Sequence, residues 1–162
     1  MDSLKLIAFD AEDLAVVSAH VQDAVLKVSD LAFQPKAKRF VALIRRFDWS
    51  VAVKPGKRQT LRRQSALRFE RVLGARHQGI DLKGRNDVLS LLAIKYDPKS
   101  AEDPGGTVTL VFAGGAAIRL DVECIEAELR DLGPTWKARS QPEHPDPATE
   151  KAGKASGKVR GA

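Results

Sequence analysis

The sequence predicts an α+β fold in which a mostly antiparallel sheet, or a curved roll of about six to seven strands, carries two helices. Two observations lead to this prediction. Short apolar segments that alternate with a period of two residues fill most of the chain, and this pattern is typical of strands. The turns between them are too short for the crossovers that parallel strands require. Local hairpins, and therefore antiparallel pairing, follow.

The first strand and the first helix are predicted near the start of the chain. Residues 4–9 (LKLIAF) alternate like a short strand. Asp10 follows as the expected N-cap, with Asp13 at the capping-box position. Apolar side chains then recur at helical spacing, which predicts one helix after the first strand, from about residue 11 to about residue 27. These side chains are Leu14, Val17, Val21, Val25 and Val28.

Strands are predicted for the middle of the chain. Residues 31–34 and 39–49 flank the sequence PKAK, which favours a hairpin. Residues 54–64 form a polar and basic loop, and residues 66–75 alternate like a half-exposed strand with Leu67, Phe69 and Leu73 on its apolar face.

The strongest hairpin signal comes later in the chain. Residues 88–96 form the most apolar segment, which predicts a central strand. Residues 107–113 and 116–122 are joined at Gly114-Gly115, a pair of residues that favours a tight hairpin turn.

A second, C-terminal helix is predicted to open at Asp121 or Glu123. Gly133 and Pro134 are expected to end it, because glycine favours the position after a helix and proline cannot continue one. The side chains expected to face the core are Ile125, Leu129 and Leu132.

The domain organisation follows from length and composition. A chain of 162 residues with 43% hydrophobic residues fits a single domain, which we place at residues 1–136. Residues 137–162 contain one valine as their only large aliphatic residue. Such a segment buries too little apolar surface to offset its conformational entropy, so we predict a disordered basic tail.

Composition argues against several classes of protein. The single cysteine, Cys124, suits a reducing compartment, and the anionic residues around it disfavour a reactive thiolate. The histidines His20, His77 and His144 are scattered, and no metal or cofactor motif occurs. No apolar window is long enough to span a membrane. We therefore expect a cytoplasmic protein without catalytic, cofactor-binding or metal-binding residues, and favour a non-enzymatic role.

Charge is strongly segregated along the chain. Residues 36–76 contain thirteen lysines and arginines against Asp48 and Glu70, a net charge of +11, whereas residues 1–35 and 77–136 each carry −4. Clustered basic residues attract anionic partners. The sequence thus predicts an anion-binding or partner-binding surface made by Arg45, Arg46, Lys54, Lys57, Arg58, Arg62, Arg63 and the aromatic Trp49.

Several interpretations of this basic region remain open. Its favoured role is a partner surface of a non-enzymatic binding or assembly module, whose partner the sequence does not identify and for which an acidic protein is one candidate. A nucleic acid is the first alternative, since arginines and lysines neutralise phosphates and an exposed aromatic residue can stack on bases. Solvated loops, or internal pairing with the acidic segments, would explain the same charges without a partner. An enzyme whose site assembles only in three dimensions is a further alternative.

Three segments of the chain resemble a known family. They are LKLIAFDAEDLAVVSAHVQDAVLKVSDLAF, KRFVALIRRFDW and TLVFAGGAAIRLDVECIEAELRDLG. They are similar to small uncharacterised proteins of alphaproteobacteria that form a domain of unknown function. The resemblance covers about residues 4–133 and implies a bacterial cytoplasmic setting and a single domain. It implies no activity, cofactor or catalytic residue.

Overall fold

A computed structural model describes residues 3–47 and 62–133, which form a mostly β, α+β fold. Its helix, α1, comprises Ala11–His20. The described residues also form a ten-stranded sheet. The strands are β1 (Lys5–Ala8), β2 (Val25–Lys27), β3 (Leu31–Gln34), β4 (Arg39–Phe47), β5 (Arg62–Phe69), β6 (Val72–Gln78), β7 (Val88–Pro98), β8 (Gly106–Phe112), β9 (Ala117–Val122) and β10 (Ala127–Asp131).

All strand pairs are antiparallel, as predicted. The order across the sheet is β1-β10-β5-β4-β2-β7-β8-β9-β6, and β3 also pairs with β4. The strand β4 pairs with three other strands. Along one edge it pairs with β5 from Phe40 to Phe47. Along its other edge it meets β3 and then β2, the latter through Val25 and Arg45.

The helix α1 begins where the sequence predicts. The Asp13 amide donates to Asp10 Oδ1 at 2.7 Å, and the Phe9 amide donates to the Asp13 carboxylate at 3.1 Å. Asp10 therefore caps one of the free amides of the first turn. Leu14 and Val17 face the core, and α1 packs on β1 and β7.

The predicted extension of this helix to about residue 27 is wrong. The helix ends at His20, and the backbone turns at Asp23, whose φ is 66°. Residues Val25–Lys27 then form β2 between β4 and β7. Val21 and Val28 are buried nonetheless. Their helical spacing misled the prediction because a turn at Val21 and a short 3₁₀ helix that begins at Val28 bury the same side chains.

The predicted C-terminal helix is also wrong, since Ala127–Asp131 form β10 between β1 and β5. Ile125 and Leu129 are both buried, but their four-residue spacing suits a strand, with its period of two, as well as a helix. The sheet also supplies β10 with strand partners on both sides, which no local pattern can indicate.

Residues 66–75 form two strands instead of the predicted one. The chain reverses at Arg71, whose φ is 62°, and so separates β5 from β6. Leu67 and Phe69 are buried as predicted, whereas Leu73 beyond the reversal is 56% exposed.

The remaining strand predictions hold, with small shifts of boundary. The strands β1, β3, β4, β7, β8 and β9 lie where they were predicted, and β8 and β9 turn at Gly114 and Gly115 with φ of 82° and 84°. Most of the predicted loop 54–64 and all of the predicted tail 137–162 lie outside the described residues, while residues 62–64 belong to β5.

Candidate binding surface

The basic residues of the β3–β6 region lie beside the acidic residues of β9, β10 and the connection between them. This arrangement follows from the strand order, because β10 pairs with β5 and β9 pairs with β6. The segment that is acidic in the sequence is therefore placed against the basic one. The resulting ion pairs are Lys38–Glu123 at 3.5 Å, Arg68–Glu128 at 3.4 Å, Arg71–Glu126 at 3.5 Å, Arg76–Asp121 at 3.1 Å, Arg46–Asp131 at 2.8 Å and Arg63–Asp131 at 3.7 Å.

Most of these pairs lie at the surface. In the Arg71–Glu126 pair, for example, the side chains are 60% and 38% exposed. Pairs of this kind contribute little to the free energy of unfolding. They do neutralise much of the positive charge that the sequence concentrates in residues 36–76. Internal pairing, one of the open interpretations, thus accounts for a large part of the basic region.

The Asp131 carboxylate is the centre of a buried polar cluster. Arg46 donates to both of its oxygens, from Nε and Nη2, at 2.8 Å each. Ser65 Oγ donates to Oδ1 at 2.7 Å, the Leu4 amide donates to Oδ2 at 2.8 Å, and Arg63 Nη1 lies 3.7 Å from Oδ2. The cluster thereby connects β4, β5, β10 and the residue that precedes β1 through a single side chain.

These contacts set the ionisation of Asp131. Burial by itself raises the pKa of this carboxyl group. The hydrogen bonds from Arg46, the Leu4 amide and Ser65 act in the opposite direction, and the net pKa of Asp131 is below its ordinary value of 3.8. The side chain therefore remains charged inside the fold, where its partners stabilise it.

Arg46 and Arg63, two residues of the predicted surface, are inside the fold. They are 3% and 5% exposed, so the expectation of solvent-facing arginines is wrong at these positions. Alternation explains their orientation, because Arg46 continues the inward row of Ile44 on β4 and Arg63 begins the inward row of β5. The Asp131 carboxylate between them compensates their burial.

Arg45 and Arg62 are the two predicted residues that lie at the end of the β4–β5 hairpin and face outward. Arg45 is exposed and Arg62 is partly exposed. Arg62 Nη1 donates to the carbonyls of Asp23 and Arg45 at 3.2 and 3.3 Å, and its guanidinium lies 4.9 Å from the centre of the Phe47 ring. The guanidinium of Arg62 therefore makes a cation–π contact with the Phe47 ring.

Asp30 lies within the electrostatic reach of Arg45. Burial raises the pKa of Asp30 above 3.8, while the Lys27 amide and the charges of Lys27 and Arg45 oppose the rise. Arg45 is thus an exposed cation whose charge acts on the Asp30 carboxyl group. The other predicted residues, Trp49, Lys54, Lys57 and Arg58, lie outside the described residues.

Sequence reasoning missed the role of Asp131, because it assigned this residue to a helix. The alternation in residues 127–131 was a usable signal: Ala127, Leu129 and Asp131 are buried, whereas Glu128 and Arg130 face outward. An acid at the third inward position of a strand requires a buried basic partner. The two inward arginines of β4 and β5 meet that need.

Other reactive groups are dispersed. Cys124 is partly buried, and no group of three or more metal-ligating side chains occurs within residues 3–47 and 62–133. Burial, Asp103 and Cys124 raise the pKa of Tyr96, whose hydroxyl donates to the carbonyls of Pro104 and Gly105 at 3.1 Å.

None of the helices in the described part of the chain is long and apolar enough to cross a membrane.

These features define a class of protein: an α+β domain, mostly β, in which an antiparallel ten-stranded sheet neutralises much of its own basic charge. Residues 4–144 match the family described as "Protein of unknown function (DUF2948)", and the chain belongs to that family. Comparison with curated proteins and with solved structures finds no significant match.

Proposed function

We propose that this domain is a non-enzymatic binding or assembly module and that the hairpin-end surface, defined by Arg45 and Arg62, contacts an acidic partner protein. We propose further that it works in the cytoplasm of an alphaproteobacterium, as the resemblance of its sequence implies.

The proposal rests on the ion pairing of the basic residues. Most of the described basic residues of 36–76 form ion pairs with carboxylates in residues 3–47 and 62–133, whereas Arg45 and Arg62 form none with the carboxylates of these ranges. Lys36 also forms none, but it lies in the turn at the opposite end of β4. Within the described part of residues 36–76, the positive charge that is not paired in this way is therefore concentrated at the hairpin end.

The sequence between the two strands supports the same location. Residues 48–61 connect β4 to β5 and contain Lys54, Lys57 and Arg58 against the single acid Asp48. Trp49 belongs to the same connection. Arginine and tryptophan are both enriched at the centres of protein interfaces.

The internal pairing favours an acidic protein over a nucleic acid. A protein that contacts roughly six to ten phosphates of duplex DNA neutralises them with lysines and arginines, and it therefore needs a broad array of free cations. Here much of the array is already engaged by Asp121, Glu123, Glu126, Glu128 and Asp131. A short basic surface is better matched to an acidic patch on a protein, where a few charge pairs steer association.

The test compares two double variants with equal loss of charge. Arg45→Gln/Arg62→Gln removes the hairpin-end surface, and Arg71→Gln/Arg76→Gln removes two exposed arginines that are already paired. Immobilised wild type and both variants are incubated with nuclease-treated native lysate at low salt. We expect a defined partner protein to bind wild type and the control variant and to be lost from Arg45→Gln/Arg62→Gln.

Two results would contradict the proposal. Equal retention by both variants would remove the hairpin-end surface as the contact. Loss of all retention on nuclease treatment, with recovery on adding an oligonucleotide, would favour the nucleic-acid alternative. Thermal melts of each variant establish that the comparison is made between folded proteins.

A further inference from the structure

The sheet almost closes into a ring, with an open seam between β3 and β6. The strands β2 and β3 lie consecutively along one edge of β4, and β2 continues the sheet through β7, β8 and β9 to β6. Among the described strands, β3 pairs with β4 alone and β6 pairs with β9 alone. The free edges of β3 and β6 both line one cavity, which we call the seam cavity.

Hydrogen bonds close both ends of this seam. At one end the Val72 amide donates to the Lys38 carbonyl at 2.9 Å. At the other end the amides of Val28 and Ser29 donate to the carbonyls of Asp87 and Arg85 at 3.0 Å each. The seam is therefore a slot of fixed length, which suits a small molecule better than a peptide strand running through it.

The floor of the seam cavity is apolar. Leu31, Phe40, Ile80 and Ile118 line it, and each is at most 9% exposed. The volume is about 270 Å³, slightly below the roughly 300–1,000 Å³ of pockets for drug-sized ligands. A short hydrocarbon chain would bury its surface here, which is favourable in proportion to the apolar area removed from water.

The mouth of the seam cavity is basic. His77 and Arg85 line it together with the backbone at Arg76, and among the described residues of its lining there is no Asp or Glu. His77 is the register partner of Ile118, so its ring lies on the same side of the sheet as the apolar floor. Arg76 is paired with Asp121 at 3.1 Å.

Arg85 is the cation available to a ligand. Within residues 3–47 and 62–133 it forms no ion pair with a carboxylate. An arginine guanidinium binds a carboxylate through two parallel hydrogen bonds. One free cation matches a single negative charge better than the charge of nearly two on a phosphate monoester.

We propose that the seam cavity binds a small amphipathic monocarboxylate. Its hydrocarbon chain occupies the floor between β3 and β6, and its carboxylate contacts Arg85, with His77 beside it at the mouth. Neither Arg45 nor Arg62 lines the cavity, so this proposal does not depend on the hairpin-end surface.

The experiment is a titration of the ¹⁵N-labelled full chain with sodium octanoate, followed by amide chemical shifts. We expect saturable shifts concentrated at Phe33, Ala75, His77 and Ile118. Octan-1-ol has the same hydrocarbon chain without the charge, and we expect it to bind at least tenfold more weakly. Equal affinity for the alcohol, or shifts confined to other parts of the fold, would overturn the proposal.

Arg85→Gln and Ala75→Leu test the location of the site, and Lys83→Gln is the control. Arg85→Gln is expected to weaken octanoate binding about tenfold, which corresponds to about 1.4 kcal/mol. Lys83→Gln removes the same charge from the same loop, but Lys83 does not line the cavity, and it should leave binding within about twofold. Ala75→Leu fills the slot from β6 and should abolish binding.

The outcomes distinguish specific binding in the seam cavity from nonspecific electrostatic attraction of octanoate to the protein. Equal weakening by Arg85→Gln and Lys83→Gln would mean that only long-range charge is involved, and it would overturn the assignment of Arg85. Absence of saturable shifts with millimolar octanoate would overturn the site altogether. If Ala75→Leu fails to fold, the comparison of Arg85→Gln with Lys83→Gln still decides, because both residues are exposed.

Discussion

Arg46 Nε and Nη2 each lie 2.8 Å from an oxygen of Asp131, across a separation of 85 residues in the chain. This two-point contact joins β4 to β10, which are not neighbours in the sheet because β5 lies between them. The planar guanidinium suits such a contact, because it matches the geometry of a carboxylate. The strand that the sequence presents as a helix is therefore fixed in place by a buried charge pair as well as by its backbone hydrogen bonds.

Replacing Asp131 with Asn should destabilise the fold strongly. The substitution keeps the size of the side chain but leaves Arg46 buried without its counter-charge, which typically costs about 3–5 kcal/mol. The control is Glu126→Gln, which breaks the exposed pair with Arg71 and should cost less than about 1 kcal/mol. Urea unfolding of both variants gives the two free energies. Similar values for both would show that the Asp131 cluster contributes no more than a surface pair.

The same cluster predicts a dependence of stability on pH. The pKa of Asp131 is lowered in the folded state, so its contribution is present above its unfolded pKa and is lost as pH falls through the folded pKa. The difference in unfolding free energy between wild type and Asp131→Asn should therefore be constant near neutral pH. It should shrink as the pH falls below 3.8.

Unfolding series at several pH values check this dependence. Asp30 has a raised pKa and acts in the opposite sense, but it is present in both proteins and cancels in the difference. A difference that stays constant down to pH values well below 3.8, while both proteins remain folded, would contradict the lowered pKa of Asp131.

Local patterns predicted the parts of the fold that neighbouring residues determine. Alternation and turn residues located β3, β7 and the β8–β9 hairpin, and the Asp10 cap located the start of α1. The errors occur where distant partners decide the structure. The segment containing Val25 joins β4 and β7, and the segment containing Leu129 joins β1 and β5. Apolar residues three or four positions apart fit a helix until those strands are known.

The candidate site shows the same limit. Counting charges identified the basic region, but the count could not distinguish Arg45, which is exposed, from Arg46, which is 3% exposed. That distinction depends on which face of β4 meets the core and on the presence of Asp131 on β10. The seam cavity could not be predicted for a related reason, since β3 and β6 approach each other only after the sheet has curved around.

The helix α1 offers a test of its register with two adjacent valines. Val17 is 1% exposed and Val16 is 48% exposed. Val17→Asp would bury an unpaired carboxylate and should cost several kcal/mol, about 3 or more. Val16→Asp makes the same chemical change on the solvent side and should cost less than about 1 kcal/mol. Thermal melts of both variants give the comparison, and equal losses would count against the orientation of α1.

The turn after β6 provides the last prediction, which compares two glycines with similar backbone angles. Gly79 has φ of 68° and Gly114 has φ of 82°. An alanine at either position adopts the left-handed conformation, at a cost of roughly 1–2 kcal/mol. The entropy lost by the unfolded chain is the same for both substitutions. Backbone strain and unfolded-state effects are therefore closely matched.

The surroundings of these two glycines differ. A Cβ at Gly79 would lie 3.1 Å from Ala116 Cα and 3.4 Å from the Gly115 carbonyl, whereas a Cβ at Gly114 would meet nothing within 4 Å. Gly79→Ala should therefore destabilise the protein more than Gly114→Ala, because β6 must move away from the β8–β9 turn to relieve the contact. Urea unfolding measures both, and an equal or smaller loss for Gly79→Ala would show that β6 does not pack against that turn.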